Sequence, residues 1–350
     1  MKRPTIPLML LIAASIFVFF LLNLLLGSVS IPIGSVWNIL WGGTDESVIW
    51  QNIIWKSRVP QALTALVAGA GLSISGLQMQ TVFRNPLAGP SVLGISSGAS
   101  LGVAFVVLLS GAFGGVALSK LGYMGEVALS LAAVIGALSV MALIVYVSQK
   151  VKGNVTLLII GVMIGYVASA VIGVLKYFSV EEDIRAYVIW GLGSFARVSG
   201  DQMTLFVCIM VVLIPLSFLL IKTMNLMLLG DGYARNLGLN IKRARLLVIS
   251  CSGVLVAIVT AYCGPIMFIG LAGRVTENPV QLPAHIIDID HRILMPATLL
   301  AGASLALVCN LVARMPGFEG ALPVNSVTAL VGAPVVASVL FRKRKSELSE

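Results

Sequence analysis

Apolar runs of about 20 residues recur from one end of the chain to the other, separated by short breaks rich in glycine, proline and basic residues. Helices of that length, rising 1.5 Å per residue, cross a hydrocarbon core about 30 Å thick. The pattern predicts ten spans, at 8–27, 60–81, 92–110, 122–147, 154–176, 203–222, 244–262, 265–286, 294–313 and 324–341. Nine are convincing by hydropathy. The eighth carries Arg274, Glu277, Asn278 and Gln281, so its neighbours must screen it from lipid.

Two connections differ from the rest. Residues 28–58 hold Trp37, Trp41, Trp50 and Trp55, four of the five tryptophans, as expected of a segment at the membrane–water boundary. Residues 223–243, TMNLMLLGDGYARNLGLNIKR, show helical apolar spacing broken by glycines. A connection of that length is more often functional than idle.

Composition sharpens this picture. Of 350 residues, 58% are hydrophobic and only 11% charged, with a mean hydropathy of +1.03. Soluble domains carry roughly a quarter charged residues, so the chain lacks the charge to solvate a soluble domain. The formal net charge of +9 would suit nucleic acid in another context, but no basic and aromatic surface for stacking bases is present. The charges instead sort by side. With ten spans and a cytoplasmic N-terminus, fifteen basic residues fall inside and seven outside, with Arg274 in the eighth span. Nine spans would put the Arg342–Lys345 run outside, against the positive-inside rule. Both termini are therefore expected in the cytoplasm. Lys2 and Arg3 before the run Leu8–Leu26 resemble a signal peptide, but the run is long and no A-x-A-like site follows, so a retained first span is expected.

Little in the chain suggests catalysis. Cys208, Cys251, Cys263 and Cys309 lie in apolar runs without metal-ligand spacing, and His285 and His291 are the only histidines. Gly94-Ile95-Ser96-Ser97-Gly98 matches G-x-S-x-G, yet it sits in an apolar helix without a histidine base. Gly94, Gly98 and Gly102 instead fall at i, i+4 and i+8 and make a smooth face for close helix packing, a spacing that Gly161 and Gly165 repeat. Glu126 reads as a polar helix end, and Glu181, Glu182 and Asp183 as a solvated face. No G-x-x-x-x-G-K-[ST] occurs, so ATP-driven transport would need a separate ATPase subunit.

The segment RVPQALTALVAGAGLSISGLQMQTVFRNPLAGPSVLGISSGASLG, Arg58 to Gly102, goes further. Arg-x-Pro at the span start, Ser-Gly-x-x-x-Gln and Arg-Asn-Pro-Leu-Ala-x-Pro (Arg84, Asn85, Pro86 onward) closely resemble the FecCD family. These are permease subunits of bacterial ABC importers for iron–siderophore, haem and cobalamin. The resemblance continues through WGLGSFARVSGDQ (190–202), LGDGYARNLGLNIKRARLL (229–247), GPIMFIGL (264–271), DHRILMPATLLAGASL (290–305) and LPVNSVTALVGAPVVASVL (322–340). Between Leu271 and Asp290 it breaks: eighteen residues stand there, with no Pro-His pair in register.

The resemblance implies an all-α polytopic membrane protein, a ten-transmembrane-helix permease of the type II ABC importer kind, forming one domain over 1–350. It implies a bacterial inner-membrane homodimer with the pathway on its axis. Two ABC ATPase subunits would sit below and a periplasmic or lipid-anchored substrate-binding protein would dock above. ATP would bind the partner subunit, leaving this chain without a cofactor and without nucleic acid. Arg58 and Arg314 match arginines that pair with glutamates of the binding protein, while Gln61 stands where the family has a further arginine. Leu229, Gly230, Ala234, Arg235, Leu237 and Gly238 fall in the expected coupling loop to the ATPase. A secondary carrier driven by an ion gradient is the alternative; it would need coupling-ion ligands at broken helices near the midplane.

Overall fold

The computed structural model describes residues 5–43, 46–85, 87–112, 123–151, 154–198, 200–271, 290–315 and 322–334. These residues form helices and turns, with no strand among them. In chain order the α-helices are α1 (Thr5–Leu25), α2 (Ile33–Leu40), α3 (Val48–Ile53), α4 (Val59–Phe83), α5 (Ile95–Ala112), α6 (Tyr123–Lys150) and α7 (Asn154–Tyr177). They continue as α8 (Glu181–Gly191), α9 (Gly200–Phe218), α10 (Ile221–Leu228), α11 (Asp231–Asn236), α12 (Ile241–Cys263) and α13 (His291–Ala313). Eight of the ten expected spans coincide with apolar helices: among the described residues α4, α6, α7, α9, α12 and α13 are long and apolar enough to cross a membrane, and α1 and α5 carry shorter apolar stretches. The tenth begins as a helix at 324–334, and most of the eighth, at 272–289, lies outside the described residues. The protein is an all-α, polytopic membrane protein.

The helices sort into two compact units. The first contains Met1–Ser73, Ser194–Ile214 and Phe268–Glu350. Within it α1 packs along α13. Apolar side chains alone would not fix this pairing, because lipid tails solvate them equally well. Polar side chains set the register. Ser15 Oγ lies 3.1 Å from Ser304 Oγ, Asn23 Nδ2 donates to the Leu307 carbonyl at 3.0 Å, and Asn310 Nδ2 donates to Asn23 Oδ1 at 2.8 Å. Both asparagines are fully buried. Nearby, a Cβ at Gly69 would run into the carbonyl oxygen of Gly302, and one at Gly302 would run into Ser73, so α4 and α13 touch backbone to backbone. Asn23→Leu is expected to cost about 1 kcal/mol, seen as a lower midpoint of thermal unfolding in detergent.

The second unit contains Ile74–Gly193 and Pro215–Met267. Its central helix is α5, which packs against α6, α7, α8 and α12. Glycines allow this. An added Cβ at Gly98 would lie 2.6 Å from the Gly136 carbonyl oxygen, and one at Gly102 would overlap the Ala132 carbonyl. Gly94, at φ 75°, ends a 3-10 turn and sits 3.0 Å, measured from its missing Cβ, from the Gly161 oxygen. The faces turned away from α5 carry Leu131, Ile135 and Leu138 on α6 and Ile159, Met163, Val167 and Val174 on α7, all exposed. A bilayer solvates such faces; water does not.

Of two polar features, one differs from expectation and one agrees with it. Glu181 and Glu182 are exposed at the start of α8, but Asp183 beside them is buried. All three stand in the first turn, where carboxylates offset the positive helix end. In the 28–58 segment, Trp37 and Trp41 are exposed on one side of α2 with ring centroids 5.9 Å apart, while Val36 and Ile39 are buried on the other. α2 is thus amphipathic, with its tryptophans exposed as a segment at the membrane–water boundary requires.

Candidate functional site

The glycine-broken stretch 223–243 folds as two short helices, α10 and α11, joined at Leu229–Gly230. Gly230 turns the corner at φ 99°, where an L side chain would be strained. At the far end of α11, Gly238 (φ 86°) occupies the residue just past the cap of a Schellman motif. Its N–H bonds the Arg235 carbonyl at 2.9 Å and the Leu239 N–H bonds the Ala234 carbonyl at 3.0 Å. Asn240 then caps α12, its side chain accepting from the Arg243 N–H at 3.2 Å.

This geometry gives the pair two faces. Met224, Met227 and Ala234 are buried. Leu229, Tyr233 and Leu237, four residues apart, are more than half exposed, and Arg235 is exposed beside them. Three large side chains and a cation thus lie exposed on the corner.

Arg84, expected only as part of a packing signature, reaches this corner. It ends α4 in its own Schellman motif, with Arg84 N–H on the Thr81 carbonyl at 3.4 Å and Asn85 N–H on the Gln80 carbonyl at 3.2 Å. Its φ is 48°, in the place where Gly238 stands at the end of α11. The guanidinium donates to the Met227 carbonyl at 3.0 Å and to Asp231 Oδ1 at 2.6 Å. Arg245 of α12 approaches the other oxygen of Asp231 at 3.6 Å. Asn85 Oδ1 accepts from the Leu87 N–H at 2.9 Å and closes the turn that follows. Pro86 lies outside the described residues.

A second cluster forms at the C-terminal end of α1. A π-helical turn, Ile54–Arg58, leads directly into α4 and carries the Arg58 side chain into the protein, where it is 1% exposed. Its guanidinium donates to the carbonyls of Leu24 (2.6 Å), Leu25 (2.8 Å) and Val29. Two of these are terminal carbonyls of α1 with no intrahelical partner, and the cation also meets the negative end of the helix. Arg58, expected to dock a binding protein, here turns both Nη atoms onto the end of α1 and the segment after it.

Arg314, at the cap of α13, comes close by. A Cβ on Gly27 would lie 3.0 Å from Arg314 Nη2 and 3.2 Å from Arg58 Nη2, so the two cations close in on this glycine from both sides. Among the described residues neither arginine pairs with a carboxylate, and Arg314 Nη1 is buried without a partner. Burial, and then the charge of Arg58, push the Arg314 guanidinium down to about 10, so it stays charged at neutral pH. The charged form is disfavoured by folding, and that cost persists at every pH below about 10. Arg314→Gln is therefore expected to raise stability by about 1 kcal/mol, allowing for solvent screening, read as a higher thermal midpoint near pH 7. Arg58→Ala should do the opposite. It strands three carbonyls and should cost at least about 3 kcal/mol, with Arg58→Lys recovering part of the loss.

Between α4 and α12 lies a third polar group. Ser75 Oγ is 2.5 Å from Ser252 Oγ, and each hydroxyl also reaches the other residue's carbonyl at 3.1 Å. Ser217 Oγ is 3.2 Å from Cys251 Sγ. These contacts tie helices together at close approach. Among the described residues, no three His, Cys, Asp or Glu side chains converge as metal ligands would.

Comparison with known proteins agrees with this architecture. The family model described as the FecCD transport family matches residues 15–342. The vitamin B12 import system permease protein BtuC of Klebsiella pneumoniae is 36% identical over 298 residues, which is 84% of each chain. The hemin transport system permease protein HmuU of Yersinia pestis is 32% identical over 323 residues, 91% of each chain. A solved inward-facing metal-chelate type ABC transporter superposes with a TM-score of 0.79 at 27% identity, covering 95% of this chain and 98% of that one. A match over nearly the whole length, carried by the same helices that hold Arg84 and the α10–α11 pair, means that this chain belongs to the FecCD transport family.

Proposed function

We propose that the chain is the permease subunit of an ATP-driven importer, and that its cargo is a large chelated-metal compound of the tetrapyrrole or siderophore class. Family membership supports the transport role. The names of the relatives, for vitamin B12, hemin and a metal chelate, support the cargo class. The observation that carries the mechanism is the α10–α11 pair: a compact helical corner with Leu229, Tyr233 and Leu237 exposed.

In this reading the corner docks on an ABC ATPase subunit, and two copies of the chain with two ATPases form the transporter. ATP binds the partner subunits, and no catalysis is assigned to this chain. Both termini and the corner face the cytoplasm of a bacterial inner membrane. The opposite side meets a substrate-binding protein, for which Arg314 is the remaining arginine available from the expected pair. Closure of the ATPases would bias a two-state pathway through contacts that differ between the states.

The test is uptake into proteoliposomes holding the purified complex, with cobalamin and haem each presented on its binding protein. Uptake that requires ATP and the binding protein supports the reading. Uptake driven by an imposed ion gradient without ATP overturns it in favour of a secondary carrier.

A further inference from the structure

We infer that Arg84 and Asp231 form a latch that makes the α10–α11 corner and the end of α4 move as one piece. The inference rests on the reading of that corner as the ATPase contact, and it adds the route by which motion leaves it.

Three observations point the same way. First, Arg84 holds a backbone conformation that costs a non-glycine residue of order 1 kcal/mol, at φ 48°. The equivalent position after α11 is glycine, so the fold had a cheaper residue for this motif. Second, the ion pair is 42% and 47% exposed on its two sides, where such pairs add little stability. Strain without a stability return favours a positional role for the side chain. Third, the guanidinium grips both sides of the corner. It donates to the Met227 carbonyl in the last turn of α10, which also accepts from the Gly230 N–H at 3.4 Å, and to the carboxylate at the first residue of α11, Asp231. Leu229 and Gly230 between them cannot open without breaking one of these bonds. Arg245 on the other carboxylate oxygen anchors the same point to the first turns of α12.

A force applied at Leu229, Tyr233 and Leu237 therefore reaches the end of α4 directly through Arg84, without passing through α12. Without Arg84 the corner would hinge at Gly230 and absorb the motion. Arg84 is in this sense a positioning residue: it touches neither nucleotide nor cargo.

The decisive variant is Arg84→Gly, because glycine suits the backbone better and leaves α4 capped. Complexes are purified with their ATPase subunits, and amide hydrogen exchange is followed with and without ATP plus vanadate. In the parent protein, nucleotide trapping should change exchange both at 229–238 and at 78–85. In Arg84→Gly the change at 229–238 should remain while the change at 78–85 falls at least about fivefold, the low end of typical couplings between sites. Asp231→Asn, which keeps the size and removes the charge, should behave alike. A response at 78–85 that survives Arg84→Gly overturns the latch, as does a parent protein with no response there. No response at 229–238 in the parent overturns the docking reading itself, a separate outcome.

Discussion

A Leu229→Asp, Leu237→Asp double variant is expected to insert, fold and retain its thermal midpoint, yet lose its ATPase subunits on purification. Both side chains are 54% exposed and give little to the interior, so the cost to folding is small. Their cost to association is large. Truncating a central apolar anchor typically loses about 2 kcal/mol or more. Placing two carboxylates in a desolvated contact adds to that, so the dissociation constant should rise more than a hundredfold. Ala234→Leu provides the contrast. Its Cβ is fully buried against the protein, so that change should disturb the corner itself and lower the midpoint. If the double variant co-purifies with its ATPases in normal yield, the exposed stripe is not the docking surface.

The second large effect is expected at Gly102→Leu, which should prevent recovery of folded protein. Any Cβ there overlaps the Ala132 carbonyl and lies 3.2 Å from the Gly136 Cα. Both obstacles are backbone, so no rotamer change relieves them, and α5 and α6 must separate. Ordinary overpacking costs about 1–3 kcal/mol; forcing apart a helix that contacts four others should exceed about 4 kcal/mol. Gly173→Ala, on the open side of α7 with nothing within 4 Å, is the matched control. It should be neutral or stabilising by up to about 1 kcal/mol. The measurement is the yield of monodisperse protein and its thermal midpoint in detergent. Normal recovery of Gly102→Leu would contradict the packing described.

Hydropathy was enough to place eight long helices within a few residues, because a membrane span is a local property of about 20 consecutive side chains. The helical rhythm of TMNLMLLGDGYARNLGLNIKR likewise anticipated α10 and α11, since glycine marks its own corners. Pairings between distant residues were not legible. Asp231 is 147 positions from Arg84, and nothing local distinguishes it from any acidic residue opening a helix. Asp183 was read as solvated from its neighbours, and burial is decided by what packs over it. Nor was the burial of Arg58 legible, because the orphan carbonyls at the end of α1 compete for its donors at short range. That competition depends on how the π-helical turn aims the side chain.

The bond between Asn23 and Asn310 has a consequence for biogenesis. The chain enters the membrane from its N-terminus, so α1 leaves the insertion machinery with a side-chain amide whose partner is 287 residues away. Until α13 follows, the Asn23 carbonyl oxygen lacks its eventual donor in a medium that offers no water. α1 is thus locked late, only once α13 has joined it. A ribosome-released fragment ending before α13 would display that amide to membrane quality control, so the same hydrogen bond that fixes register also reports that α13 has been made.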